Sequence, residues 1–366
     1  MVINMLVLSD IHLGHAVNKT EDMVQNLRRF LLTYKNDLQK TNLLIISGDV
    51  FDKLLTNNSA DFHLAYEWLT ELLLICDKYG IILRILEGTP SHDWKQVKLL
   101  YNTIKNLKLD LNFRYFEELD IEYIDDLGIN VLYLPDEWKT TNIEIYEDVK
   151  KKMEEHDLNK VDIIVMHGAF NYQLPEFLTN LHDPELYSGL AYGPIITGHI
   201  HNRSMYKNII VPGSFERLSH SDDGEEKGGL LLNYNTENHK WNFKYLNNKH
   251  ALEFYTFDVS GKEISYIKKL LDKYKKDKKV YIRFIVGENN LLRESILDLK
   301  KLYSNIILNI VKEKKEEKDE KLIKSEIKIK TSKLDKDFIL GYISEKVATD
   351  EYSIYKDEIN IIEKLT

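Results

Sequence analysis

Five short apolar runs in this chain each end in glycine, aspartate or histidine, and this pattern limits the possible folds more than any other feature. Residues 2–8 run into Ser9-Asp10-Ile11-His12, and 42–47 into Gly48-Asp49-Val50-Phe51-Asp52. Residues 81–87 run into Gly88-Thr89-Pro90-Ser91-His92-Asp93, 161–166 into His167-Gly168, and 194–197 into Gly198-His199-Ile200-His201. Short, apolar and bounded by turn residues, each run reads as a buried strand. Amphipathic stretches at 20–39, 60–79 and 94–107 lie between the early runs and read as helices. Strand–helix alternation predicts an α/β fold with helices covering a largely parallel sheet. Sheets of this kind bind ligands at the carboxyl ends of their strands. Asp, His and Gly from five strands are therefore expected on one rim.

The residue types specify the chemistry of that rim. Carboxylates and neutral imidazoles suit Mn²⁺, Fe²⁺ or Zn²⁺. The single cysteine, Cys76, leaves no Cys-rich zinc site and no intramolecular disulfide, and it reads as core packing. In Asp10-x-His12 and His199-x-His201, alternation along an extended segment would put both side chains on one side. The two oxygens of Asp49 suit it to bridge two ions. A pair of ions about 3.5–4 Å apart clamps the attacking and leaving oxygens of a phosphoryl displacement.

Charge divides the chain unevenly. The whole carries −9, whereas residues 262–336 hold 22 Lys and Arg against 13 Asp and Glu, a local balance of +9. That block reads either as a polyanion-binding surface or as solvated helix faces. Around residue 250 the pattern changes to a compact α+β unit. Residues 336–348 and 351–365 show apolar residues at helical spacing. No run approaches the ~18 apolar residues of a membrane span, and a reducing cytoplasm is the expected setting.

In order and type, these motifs resemble the calcineurin-like metallophosphoesterase superfamily: D-x-H, G-D, G-N-H-(D/E), H and G-H-x-H. Gly48-Asp49-Val50-Phe51-Asp52 is similar to the G-D-(I/L)-F-D of one branch, the SbcD-type DNA double-strand-break repair exonucleases. Pro212-Gly213-Ser214-Phe215-Glu216-Arg217, followed by Gly224-Glu225-Glu226-Lys227-Gly228, is similar to a second signature of that branch. The resemblance implies a two-sheet sandwich flanked by helices at 1–250 and an α+β capping, DNA-contact domain at 251–330. It also implies C-terminal helices at 331–366 that dock on a coiled-coil ATPase of the SbcC type. The implied activity is a Mn²⁺-dependent DNA nuclease, exonuclease and endonuclease, acting in repair or recombination as a homodimer within that complex. The form Gly-Thr-Pro-Ser-His-Asp and the Lys, Ile, Asn and Tyr bias favour a bacteriophage member.

Carried over by position, Asp10, His12, Asp49 and His201 resemble the ligands of a first metal. Asp49, His167 and His199 resemble those of a second. His92 takes the place of a histidine that lies beside the scissile phosphate, and Asp93 would orient it. Where the family has Asn, Ser91 is the expected counterpart, a neutral hydroxyl of shorter reach. In the competing alignment Thr89-Pro90 reshapes the loop and a backbone carbonyl replaces the Asn. A free-standing phosphoesterase on small nucleotides or phosphoproteins, and a non-catalytic scaffold, are the alternative functions.

Overall fold

A computed structural model describes residues 1–136, 141–174, 181–274, 279–287 and 292–312. Met1–Glu313 forms one compact unit. The proposed docking helices at 336–348 and 351–365, and most of the charge run at 312–321, lie outside the described residues.

The first sheet holds β1 (Val2–Leu8), β2 (Leu43–Ser47), β3 (Ile82–Leu86) and β4 (Phe113–Phe116). The second is built from β5 (Asp120–Ile124), β6 (Ile129–Leu134), β7 (Ile163–His167), β8 (Ile195–Gly198), β9 (Ser204–Tyr206) and β10 (Ile209–Val211). The chain then returns to the first sheet with β11 (Gly228–Asn235) and β12 (Trp241–Asn247). Strand orders are β12-β11-β1-β2-β3-β4 and β5-β6-β7-β8-β10-β9. The centres, β1 to β4 and β6-β7-β8-β10, are parallel, and antiparallel strands close both edges of each sheet except at β4.

Side-chain alternation explains why the two sheets stack. In β1, Ile3, Met5 and Val7 pack with Val131, Tyr133, Val165 and Leu232 in a core between the sheets. Leu6 and Leu8 face the other way, onto Leu27 and Phe30 of the helix Thr20–Thr33 and Trp68 and Leu72 of the helix Ala60–Tyr79. On the far side, Leu132, Ile164 and Met166 meet Val149 and Met153 of the helix Asn142–Glu155. The result is a mixed α/β sandwich, helix–sheet–sheet–helix. Strands covered on both faces need continuous apolar sequence, which is what made them readable.

A third sheet follows: β13 (Glu253–Asp258), β14 (Val280–Val286) and β15 (Ile306–Lys312), with helices Ile264–Asp272 and Leu292–Leu302 between them. All its pairings are parallel. The strand–helix–strand–helix–strand order is the one the sequence reading expects, but the parallel pairing makes the unit α/β instead of α+β, since each crossover helix carries the chain back to the same end of the sheet. Its core is its own, centred on Ile267, Leu271, Ile282, Phe284 and Leu299. Lys279 pairs with Asp22 at 2.6 Å, and His220 packs edge-on against Tyr281, joining this sheet to the sandwich. No described helix is long and apolar enough to cross a membrane.

Candidate metal centre

The five strand ends converge as expected, but not by the expected backbone. β1 stops at Leu8 and β8 at Gly198, so neither Asp10-x-His12 nor His199-x-His201 is extended. Asp10 (φ 47°), His12 (58°), Asp49 (50°) and His199 (85°) instead occupy the left-handed region. Such conformations cost free energy in non-glycine residues and persist only where neighbours impose them. Here the loops after β1 and β2 impose them by zipping together. Asp10 N donates to Gly48 O (3.1 Å), Ile11 N and His12 N to Asp49 O (2.8 and 3.0 Å), and Leu13 N to Val50 O (2.9 Å). Close approach also demands glycine: a Cβ on Gly198 would lie 2.5 Å from Ser9 Oγ and 2.6 Å from His167 Nδ1.

Three overlapping groups of ligand atoms result, Asp10–His12–His201, His12–Asp49–His92 and Asp49–His167–His199, each within 4.8 Å. Asp49 belongs to two of them, and His12 links these to the first. Asp49 Oδ2 lies 3.0 Å from His92 Nδ1, 3.3 Å from His167 Nε2 and 3.7 Å from His12 Nε2. Its Oδ1 accepts the Thr89 N–H at 2.6 Å. Of the two Asp49 oxygens expected to be available, Oδ1 is thus taken by the backbone and Oδ2 faces the imidazoles.

The donors fit a divalent cation. His12 is 1 % exposed and its buried Nε2 has no hydrogen bond, an arrangement that costs free energy unless a cation completes it. Asp52 Oδ1 stands 3.3 Å from His12 Nδ1, the usual place of a carboxylate that orients a ligating imidazole. His167 Nδ1 donates to Ser47 O at 2.8 Å, which leaves Nε2 for the Asp49 side. Asp10 is placed by Ser9 Oγ (2.5 Å) and by the His199 N–H (2.9 Å).

Electrostatics without a cation are unbalanced in the same sense. Burial alone would raise the Asp49 carboxyl, but His167 and then His92 beside it hold it well below the usual range. Burial works against a charge on His167, yet the Asp49 carboxylate raises it to about 10. Burial lowers His199 and His201.

Two site expectations need correction. Ser91 is exposed, and the hydroxyl found beside Asp49, His167 and His199 is that of Thr89. Thr89 lies there instead, because Pro90 opens a one-turn helix, Pro90–Asp93, that carries Ser91 away to a place where its carbonyl accepts Trp94 Nε1–H. Asp93 does not orient His92. It is fully buried and accepts Phe51 N–H and Gly88 N–H, both at 2.8 Å, stapling the Asp49 loop to the Thr89 loop. Burial, then the Glu87 carboxylate, push the Asp93 carboxyl well above its usual range. His92 is instead tied to Asp49 Oδ2, a bond that raises its own pKa.

One further residue near the site was missed. Asp136 follows β6 as Asp49 follows β2, and the strand-end rule would have found it. Burial pushes its carboxyl up while His167 and His199 pull it down. The Pro212–Arg217 turn supports the ligand loops from behind: Phe215 N donates to Asp10 O, and Ser214 N to His201 O. Lys227, with no exposed side-chain surface, donates to His201 O and to Asp222 Oδ1, both at 2.8 Å. Glu216 takes hydrogen bonds from Asn26, Asn248 and Leu252 N, where the chain enters the third sheet. His220 is half-buried against that sheet.

No family model matches the chain. One solved structure resembles it with a TM-score of 0.40 and 13 % identity, covering 68 % of this chain and the whole of the other.

Proposed function

We propose that this protein is a calcineurin-like, two-metal phosphodiesterase that cleaves DNA, the SbcD-type nuclease subunit of a complex with a coiled-coil ATPase. The observation that carries the reading is the position of Asp49 Oδ2, 3.3 Å from His167 Nε2 in the Asp49–His167–His199 group and 3.7 Å from Nε2 of His12, the residue it faces in the Asp10–His12–His201 group. When bound, a pair of divalent ions, proposed as Mn²⁺, supplies Lewis acidity to water and to the phosphate oxygens. The chain's own residues do the rest. Asp10, Asp49 and four imidazoles hold the charge in a buried setting, and strained loops fix their positions. His92 is half-buried, with Nδ1 on Asp49, which leaves Nε2 to give a proton to the departing oxygen.

DNA as substrate is favoured by the Pro212–Arg217 and Lys227 residues. They join the ligand loops to the segment entering the third sheet, so a cap contacting a long substrate has a physical link to the site. The ATPase partner is proposed for 331–366, and a homodimer within the complex accompanies that reading.

Hydrolysis of a long duplex, a single strand and a small chromogenic phosphodiester, each with Mn²⁺, tests it. The nuclease reading expects Mn²⁺-dependent loss of DNA that chelation stops. Turnover of the small ester with DNA left intact, also in the presence of the ATPase, would replace it with the free-standing phosphoesterase reading.

A further inference from the structure

We infer that the hydroxyl of Thr89 is a ligand of the second metal, completing the Asp49–His167–His199 group. The inference deepens the proposed two-metal reading and rests on it.

Thr89 Oγ1 lies 3.2 Å from Asp49 Oδ2, 3.4 Å from His167 Nε2 and 3.4 Å from His199 Nδ1. Asp49 Oδ2 and His167 Nε2 are themselves 3.3 Å apart. These spacings are long for good hydrogen bonds, whose optimum is about 2.7–3.0 Å. They match the edges of a coordination shell: ligands ~2.1 Å from a shared ion stand about 3.4 Å apart in a tetrahedron and ~3.0 Å in an octahedron. Four such edges connect one hydroxyl, one carboxylate oxygen and two imidazole nitrogens.

The local backbone fixes the hydroxyl there. Thr89 is the residue before Pro90, a position biased to extended conformation, and it adopts φ −61° and ψ 125°. Its N–H is committed to Asp49 Oδ1. A Cβ at the preceding Gly88 would lie 2.9 Å from Asp49 Cα, so this loop presses directly on the Asp49 loop. Asp93 staples the same two loops from below. With backbone position and direction both set, Oγ1 is presented to the three donors. A neutral hydroxyl adds an oxygen without adding charge, which suits a group whose only carboxylate is shared.

Equilibrium titration of the full chain with Mn²⁺, followed by calorimetry and by the paramagnetic resonance signal of free Mn²⁺, reads the assignment without turnover. Thr89→Val keeps the shape and removes the oxygen, and Thr89→Ala repeats the test by deletion alone should valine disturb the loop. Either is expected to weaken the second ion on the order of 10- to 100-fold and leave the first unchanged. Thr89→Ser, which keeps the hydroxyl, is expected to bind both ions as the unaltered protein does. Equal second-ion affinity in the unaltered protein and in Thr89→Val or Thr89→Ala overturns the assignment and leaves the nuclease reading standing. Equal weakening of both ions also overturns it, since Thr89 would then act only through Asp49. Unaltered protein that binds two ions but leaves DNA intact removes the nuclease reading and keeps Thr89.

Discussion

The Asp10–His12–His201 side of the centre is braced from behind, whereas the Asp49–His167–His199 side is closed from the front. On the first side, Phe215 N holds Asp10 O, while Ser214 N and the buried Lys227 ammonium hold His201 O. On the second side, His167 hangs from Ser47 O, and the Thr89 loop, which is half-buried, packs directly on Asp49. Bracing from the core makes position insensitive to what is bound. Closing from a loop that ends in a one-turn helix makes position depend on that loop. The two sides are therefore expected to answer differently to substitution.

Asp49→Ala gives the largest effect, because it removes the carboxylate that faces His12 on one side and His167 on the other. Binding of both ions and all turnover are expected to disappear, with the fold retained by circular dichroism. Retained hydrolysis in this variant would dissolve the comparison, since the sides would not be joined. His92→Ala comes next. It is expected to slow hydrolysis on the order of 10²- to 10⁴-fold, the range for a positioned proton donor, with both Mn²⁺ affinities kept. Release of an ion from His92→Ala would show that His92 belongs to the ligand set.

Lys227→Met sharpens the comparison from the braced side. It keeps the aliphatic stem and removes the donor to His201 O and Asp222. Loss of a group that orients a ligand costs about 10- to 100-fold in metal affinity, and here only the first ion is expected to weaken. Calorimetric titration against Thr89→Val, which weakens the other ion, reads the two sides separately.

The smallest effect concerns stability. Burial pushes the Glu216 carboxyl up to about 7, although Asn26, Leu252 N and Asn248 donate to it. Its folded pKa is above its unfolded value, so the folded state binds the extra proton. Stability contributed by this group is full below the unfolded value and declines as pH rises to about 7. Glu216→Gln is expected to flatten that decline in chemical denaturation between pH 5 and 8. An unchanged slope would show that Glu216 is not its source.

How much of this was legible follows from what each residue had to do. Strands sealed on both faces are largely apolar, with exceptions such as Arg84 of β3, which is ion-paired with Glu122, so β1, β2, β3, β7 and β8 could be read directly, and with them the rim that carries Asp10, Asp49, His167 and His199. The left-handed turns were not legible, since nothing in Asp10 or His12 announces positive φ and the cause is a neighbouring loop distant in sequence. The Ser91 expectation failed at Pro90. A proline at the first turn of a helix redirects the chain within one residue, so the position next to His92 leaves the site while Thr89, two residues earlier, stays. Asp93 failed for a different reason: its type suggests an imidazole partner, but its complete burial commits it to backbone N–H groups. The third sheet alternates buried and half-buried residues along β14, a pattern usual for antiparallel sheets with one solvated face, which hid its parallel pairing.

Anomalous diffraction from Mn²⁺-soaked crystals tests the central claim most directly. The account predicts two peaks about 3.5–4 Å apart on either side of Asp49 Oδ2, one against Asp10, His12 and His201 and the other against His167, His199 and Thr89. A single peak, or two peaks that do not share Asp49, would contradict it.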